Sequence, residues 1–396
     1  MKLNRKNLQL GAPATERIVH IGLGAFHRAH QAWFTHKVDA ENQWGIVAFT
    51  GRSPQAADEL RDQDGLFTLI ERGETEDRFE VISSIVRAQD GNDMDALVAA
   101  VSNPQTAIIT LTITEAGYGM DANGHVDTNN PPAALHRLAV ALEARRRLHG
   151  RGLAVVSCDN IPNNGGLLKV AMTDLFGLFS SEAIRWLENR ISFVSTSVDR
   201  ITPKTLEQDI ETVLGATGYV DNSPVVTEPF KDWILQGEFP EGRPQWQEAG
   251  AKFVPDISLF EHRKLWFLNG SHSLLAYSGS LRGHTTVAEA IADEVCRAQV
   301  EQFWAEVANL LHQPELETES YREALIKRYS NARIEHRLSQ IAIDGATKLR
   351  VRIVPTALNE IAHGRNAAGC ATAVAAWIDF VLAAGSGVQD ARAEEI

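Results

Sequence analysis

Short apolar runs alternate with helix-period stretches through the first two-thirds of the chain. Residues 18–22 read as a strand that leads at once into a helical pattern over 24–33. A second strand is predicted at 45–50, before a helix over 55–61. Further strands at 67–71 and 79–86 flank a charged turn. The run at 107–114 is rich in β-branched residues, the mark of a strand covered on both faces. A helix over 132–148 precedes a strand at 152–157, and another strand at 191–196 follows two more helical stretches. Strands spaced by helices predict an α/β fold with a doubly wound, mostly parallel sheet.

The pattern changes near residue 259. Helical periodicity then dominates, at 260–277, 286–312, 319–329, 334–344 and 368–384. A chain of 396 residues exceeds the ~250–300 at which one hydrophobic core stops growing, so two domains are expected. Their predicted limits are 1–258 for the α/β domain and 259–396 for a mainly α-helical C-terminal domain.

Charge narrows the function classes. The 38 basic and 51 acidic side chains leave a net charge of −13, which opposes binding to nucleic acid or an anionic membrane. The densest basic run, Arg145-Arg146-Arg147, reads as the positive C-terminal end of a helix. Three cysteines without a CxxC pair fit a reducing compartment. No apolar signal segment opens the chain, and the apolar stretch at 371–384 is interrupted by Asp379 and too short to span a bilayer. A cytoplasmic protein, monomer or homodimer, is the expectation.

Candidate chemistry lies at the strand ends. Gly22-Leu-Gly24 follows the first strand and opens a helix, where a Rossmann dinucleotide fingerprint belongs. The third fingerprint position holds His27 rather than Gly or Ala. The second strand ends in Thr50-Gly51-Arg52 without the acid that binds a ribose 2′-hydroxyl, so Arg52 keeps NADP open beside NAD. His27 and His30 form an HxxH pair, but no third ligand accompanies them and no metal is expected. Thr114-Glu115, Ser157-Cys158-Asp159-Asn160 and Asp199-Arg200 follow later strands, where open α/β sheets bind ligands. Ordinary turn and cap chemistry also explains each of these clusters.

The segment 264–272 carries an amine, an amide and an imidazole. On an α-helix Lys264, His272 and Asn269 would sit at roughly 0°, 80° and 140°, on one side. A base and a neutral donor on a rigid element suit deprotonation of an alcohol. A helix with two solvated polar residues and a capping Asn is the bland alternative. A lysine with an ordinary pKa near ~10.4 is a poor base at neutral pH, so burial or nearby positive charge must lower it.

Five motifs together resemble one family: Gly-Leu-Gly-Ala-Phe-His-Arg-Ala-His at 22–30, Thr-Ile-Thr-Glu-Ala-Gly-Tyr at 112–118, Ser-Cys-Asp-Asn at 157–160, Val-Asp-Arg-Ile-Thr-Pro at 198–203 and Lys-x4-Asn-Gly-x-His at 264–272. They look like the polyol-specific long-chain dehydrogenases, which include mannitol 2-dehydrogenase, arabinitol 4-dehydrogenase and the fructuronate and tagaturonate reductases. The motif wording is most similar to the mannitol 2-dehydrogenase-like members. The resemblance implies metal-independent hydride transfer between a polyol and NAD(P), with D-mannitol and D-fructose as the expected pair. It implies Lys264 as general base, with Asn160 and Asn269 holding the reacting oxygen. His272, with the catalytic group, and Asp199 would bind substrate hydroxyls or tune the lysine, and Arg200 and Lys348 would serve the substrate. Gly22, Gly24, Ala25, Phe26, Arg28, Arg52, Thr114 and Glu115 would serve the cofactor. Hexuronate reduction and arabinitol oxidation are the rivals within the family. A non-catalytic dinucleotide sensor is the rival outside it.

Overall fold

The computed structural model describes residues 1–51, 53–387 and 389–392. They form two compact units, Met1–Arg72 with Asp77–Ile257, and Gly73–Glu76 with Ser258–Ile396. The first unit holds an eight-stranded sheet of β1 (Glu16–Ile21), β2 (Gly45–Phe49), β5 (Ile85–Gln89), β6 (Ile108–Leu111), β7 (Leu153–Ser157), β8 (Ile191–Asp199), β10 (Asp232–Gln236) and β11 (Lys252–Phe253). Across the sheet they run in the order β11-β10-β8-β7-β6-β1-β2-β5. A smaller sheet orders β4 (Asp77–Ile82), β3 (Phe67–Arg72) and β9 (Val225–Thr227). All neighbours in the large sheet are parallel except β8 and β10.

Successive side chains of the central strands enter different cores, which is why these strands are apolar on both faces. Ile18, Ala48, Ala154 and Val156 face one core, while Val19, Val47, Phe49, Leu153 and Val155 face the other. The order reverses between β6 and β1, and such a switch point opens a crevice at the carboxyl ends of the strands.

Several elements depart from the sequence expectation. The strand expected at 79–86 is two strands, β4 and β5, and that expected at 107–114 stops at Leu111. Strands β9, β10 and β11 were not expected; they have two to five residues, too few for a period to register. In the second unit the helix expected at 286–312 breaks at Asp293. Its side chain accepts from Val295 N and Cys296 N and starts a new helix, Glu294–Leu310. Only Leu338–Ile341 is helical within 334–344, whereas Gly345–Arg352 and Val354–Ala362 form unexpected helices. Among the described residues no helix is long and apolar enough to cross a membrane.

The Arg145–Arg147 run is not simply a charged helix end. Arg146 and Arg147 pair with Glu143, but Arg145 turns inward and is fully buried. Its guanidinium donates to the carbonyls of Val101, Asn103, Thr106, Arg151 and Gly152 at 2.8–3.1 Å. One side chain thus ties the helix Ala133–Leu148 to the segments entering β6 and β7. Arg145→Met should destabilise the protein by about 3 kcal/mol or more, because several buried carbonyls lose their donor. Arg145→Lys should recover little, since an ammonium lacks the planar fork. Urea denaturation of the three proteins checks both expectations.

Candidate active site

The glycine loop sits at the switch point. Gly22 has φ +109°, and a Cβ there would collide with the Thr112 carbonyl, so only glycine fits between the ends of β1 and β6. The amides of Gly22 and Leu23 both donate to Phe49 O, at 2.9 and 2.8 Å, which bends the chain off β1. Gly24 then caps the helix that begins at Ala25, whose first-turn amides have no intrahelical acceptor. This cradle and helix N-terminus fit the pyrophosphate of a dinucleotide.

The unusual third fingerprint residue is accommodated by stacking. His27 lies on His20 with ring centroids 3.3 Å apart and planes 7° from parallel. Burial pushes the His20 pKa down to about 3 and that of His27 well below the ordinary value, so the pair is neutral. Thr112 Oγ1 donates to Gly22 O at 2.9 Å, so it accepts from His20 Nε2 at 3.1 Å. His20 Nδ1 then accepts from Thr110 Oγ1 at 2.8 Å. Arg28 is buried and structural, donating to Ser223 O, Ser223 Oγ and Gly24 O. Ala25 and Phe26 are half-buried. Arg52 lies outside the described residues.

Beyond β6 and β7 the chain is held by polar side chains. Thr114 has φ 66° and ψ 163°, a region that costs a non-glycine residue about 1–3 kcal/mol. Its N–H donates to Asp159 Oδ1 at 2.7 Å, and Tyr118 OH donates to Asp159 Oδ2 at 3.0 Å and also bonds Ser157 Oγ. Burial raises the Asp159 pKa above the ordinary carboxylate value, against the pull of those donors. Asn164, fully buried, donates to Asp159 O and Thr196 O and accepts from Thr196 N. Asn160, Thr114 and Glu115 are exposed along this edge, and Asp199 is buried at the end of β8. The structure gives Arg200 work other than substrate contact: it is buried, with its three nitrogens on Glu228 O, Ala29 O and Glu71 Oε2.

In the second unit the Lys264 segment is not α-helical. Lys264–Gly270 is a π-helix between the α-helices Ser258–Arg263 and Ser271–Leu281. The expected angles of 0° and 140° therefore fail. A π-turn bonds residue i to i+5 and winds less per residue than an α-turn, which brings Lys264 and Asn269 onto one side of the helix. The Ser271 amide donates to both Leu268 O and Phe267 O, and side chains from other parts of the unit also bond carbonyls of this turn. Phe267 O accepts from Trp304 Nε1 at 2.9 Å and Ser271 Oγ at 2.5 Å; Leu268 O accepts from Tyr329 OH, and Asn269 O from Arg352 Nη1, both at 3.2 Å. Gly270 lets the Phe303 ring approach, because a Cβ would meet it at 2.8 Å. Lys264 and Asn269 are half-buried. His272 is buried, and desolvation with the nearby His336, Arg328 and Arg352 holds its pKa well below the ordinary value, so it is neutral. Lys348 Nζ donates to Ile341 O at 3.0 Å, and burial lowers its pKa.

Sequence reasoning missed the residues that shape the site rather than line it: Asp159 as a clamp, Asn164, Ser271, Trp304, Tyr329 and Arg352. Only Asn164 left a local sign, a second Asn at the start of a glycine-containing helix after Pro162. Among the described residues no group of three or more His, Cys, Asp or Glu side chains is placed to hold a metal ion.

Residues 16–248 match the family model of the mannitol dehydrogenase Rossmann domain, and 256–394 that of the mannitol dehydrogenase C-terminal domain. D-mannonate oxidoreductase of Escherichia coli is 35% identical over 386 residues, covering 92% of this chain and 79% of that protein. D-arabinitol 4-dehydrogenase of Ralstonia nicotianae is 32% identical over 384 residues, covering 92% and 83%. The solved ternary complex of Pseudomonas fluorescens mannitol 2-dehydrogenase with NAD and D-mannitol has a TM-score of 0.81 and 33% identity, covering all of this chain and 88% of that one. With both domain models matched in order along nearly its whole length, the chain belongs to the mannitol dehydrogenase family of oxidoreductases.

Proposed function

We propose that the protein is a metal-independent polyol dehydrogenase that uses NAD and interconverts D-mannitol and D-fructose. The observation that supports this most is the π-turn, which carries an amine and an amide on one side of one helix. NAD fits the glycine cradle at Gly22 and the helix opening at Ala25, and relatives are named for sugar alcohols and sugar acids. When bound, the oxidised nicotinamide supplies the hydride acceptor.

The chain's own residues would do the rest. Lys264 accepts the hydroxyl proton in oxidation and returns it to the ketose oxygen in reduction. Asn160 and Asn269 donate to the reacting oxygen and stabilise the charge that develops on it. His272, neutral at physiological pH, and Asp199 bind substrate hydroxyls. Thr114 and Glu115 contact the cofactor, while Arg28 and Arg200 hold the loop and strand ends in place. Because the base must be neutral, polyol oxidation should speed up as pH rises and ketose reduction should slow.

A carboxylate-bearing sugar acid is the second reading. Arg328 and Arg352 both lie near enough to His272 to lower its pKa, and a guanidinium is the group that pairs with a substrate carboxylate.

NADH and NADPH oxidation at 340 nm against D-fructose, D-fructuronate and D-tagaturonate tests the proposal. Fructose turnover with NADH is expected; turnover with the uronates alone transfers the assignment to hexuronate reduction. Lys264→Ala should lower kcat by roughly 10²–10⁴ with NADH affinity nearly unchanged. Near-normal turnover in that variant removes Lys264 as the base. Asn160→Ala and Asn269→Ala should each lower kcat by roughly 10²–10³; a rise in KM alone makes them binding groups.

A further inference from the structure

Thr114 and Asp159 emerge from adjacent strands at the edge where the glycine loop also emerges. The Thr114 backbone occupies a region that glycine adopts freely and threonine does not. Its side chain is exposed, so packing of that side chain does not explain the conformation. The contact that does is internal: the Thr114 N–H points at the buried carboxylate of Asp159. That residue is itself held through both its side chain and its backbone. Tyr118 OH donates to its other oxygen, and the carbonyl of the same residue accepts from Asn164 Nδ2 at 2.8 Å and Ile161 N at 2.9 Å. The turn that follows is compact, with Gly117 N on Thr114 O at 2.9 Å and Tyr118 N on Glu115 O at 3.1 Å. Asn160 is the next residue after the clamp and is exposed.

We propose that Asp159 is a positioning residue: it holds Thr114 in its glycine-like conformation, and so sets the 114–117 turn and Asn160 for cofactor and substrate. The carboxylate does no chemistry. It orders two segments from neighbouring strands through one buried group. The kinetic consequence rests on the oxidoreductase reading above, but the structural consequence does not.

If the clamp works against backbone strain, removing the strain should remove the need for the clamp. Thermal midpoint and NADH affinity (by NADH fluorescence) are measured for the wild type, Asp159→Asn, Thr114→Gly and the double variant, with kcat and KM for D-fructose alongside. Asp159→Asn should weaken NADH binding about tenfold in the wild-type background and less than about threefold in the Thr114→Gly background, a coupling of the size neighbouring residues show. It should also lower kcat more than it raises the fructose KM. Equal losses in both backgrounds overturn the proposal. So does a fall in thermal midpoint with NADH affinity and kcat unchanged, which would leave Asp159 a packing residue. Absence of turnover in the wild type sinks the oxidoreductase reading, while binding and thermal midpoint still decide the role of Asp159. Should Asp159→Asn fail to fold, Thr114→Gly is compared with Thr114→Ala. Strain requires the Gly variant to be the more stable, the reverse of the order in an unstrained loop; a more stable Ala variant overturns the proposal.

Discussion

The Asn164 amide is buried and uses both its ends: the nitrogen reaches Asp159 O and Thr196 O, and the oxygen takes Thr196 N. This bridge fixes the exit of β7 against β8 where no ladder bond continues. A buried polar group satisfied on all sides admits one arrangement, because each alternative strands a donor or acceptor in a low dielectric. Arg145 does the corresponding task at the other end of the sheet, before β6 and β7. Between these two side chains the central strands are held at both ends, and the loops that carry the chemistry start from fixed points.

The two π-helical segments obey the same constraint. Arg28–Ala32 follows the glycine loop, and Lys264–Gly270 carries the amine and amide. In the first, the carbonyls of Ala29, Gln31 and Ala32 are met by Arg200, Thr35 and Ser84. In the second, Trp304, Ser271, Tyr329 and Arg352 do so. In each segment side chains of its own unit bond carbonyls of the π-turn. Arg200 belongs to this group, which explains a buried cation beside a site motif.

How much was legible in the sequence follows from the range of the interactions. The central strands declared themselves because burial on both faces demands continuous apolar residues, as in β6 and β7. The glycine loop was readable because Gly22 answers a local steric need. The π-turns were not, since the donors to the carbonyls of the second lie from 4 to 83 residues away and leave no periodic mark. The clamp on Thr114 was hidden for the same reason: Asp159 is 45 residues distant, and nothing near Thr114 announces a positive φ. The break at Asp293 was readable in principle, because an Asp followed by Glu inside a helical pattern competes for the backbone.

The three cysteines are all free and all buried, and burial raises the pKa of each thiol. A thiol both shielded and protonated is inert to alkylating reagents until its surroundings open. Cys158 belongs to the first unit and Cys296 and Cys370 to the second. Nature has therefore placed a chemical clock in each half of the molecule, so that the order in which the sulfurs become reactive under mild denaturant reports which half loosens first.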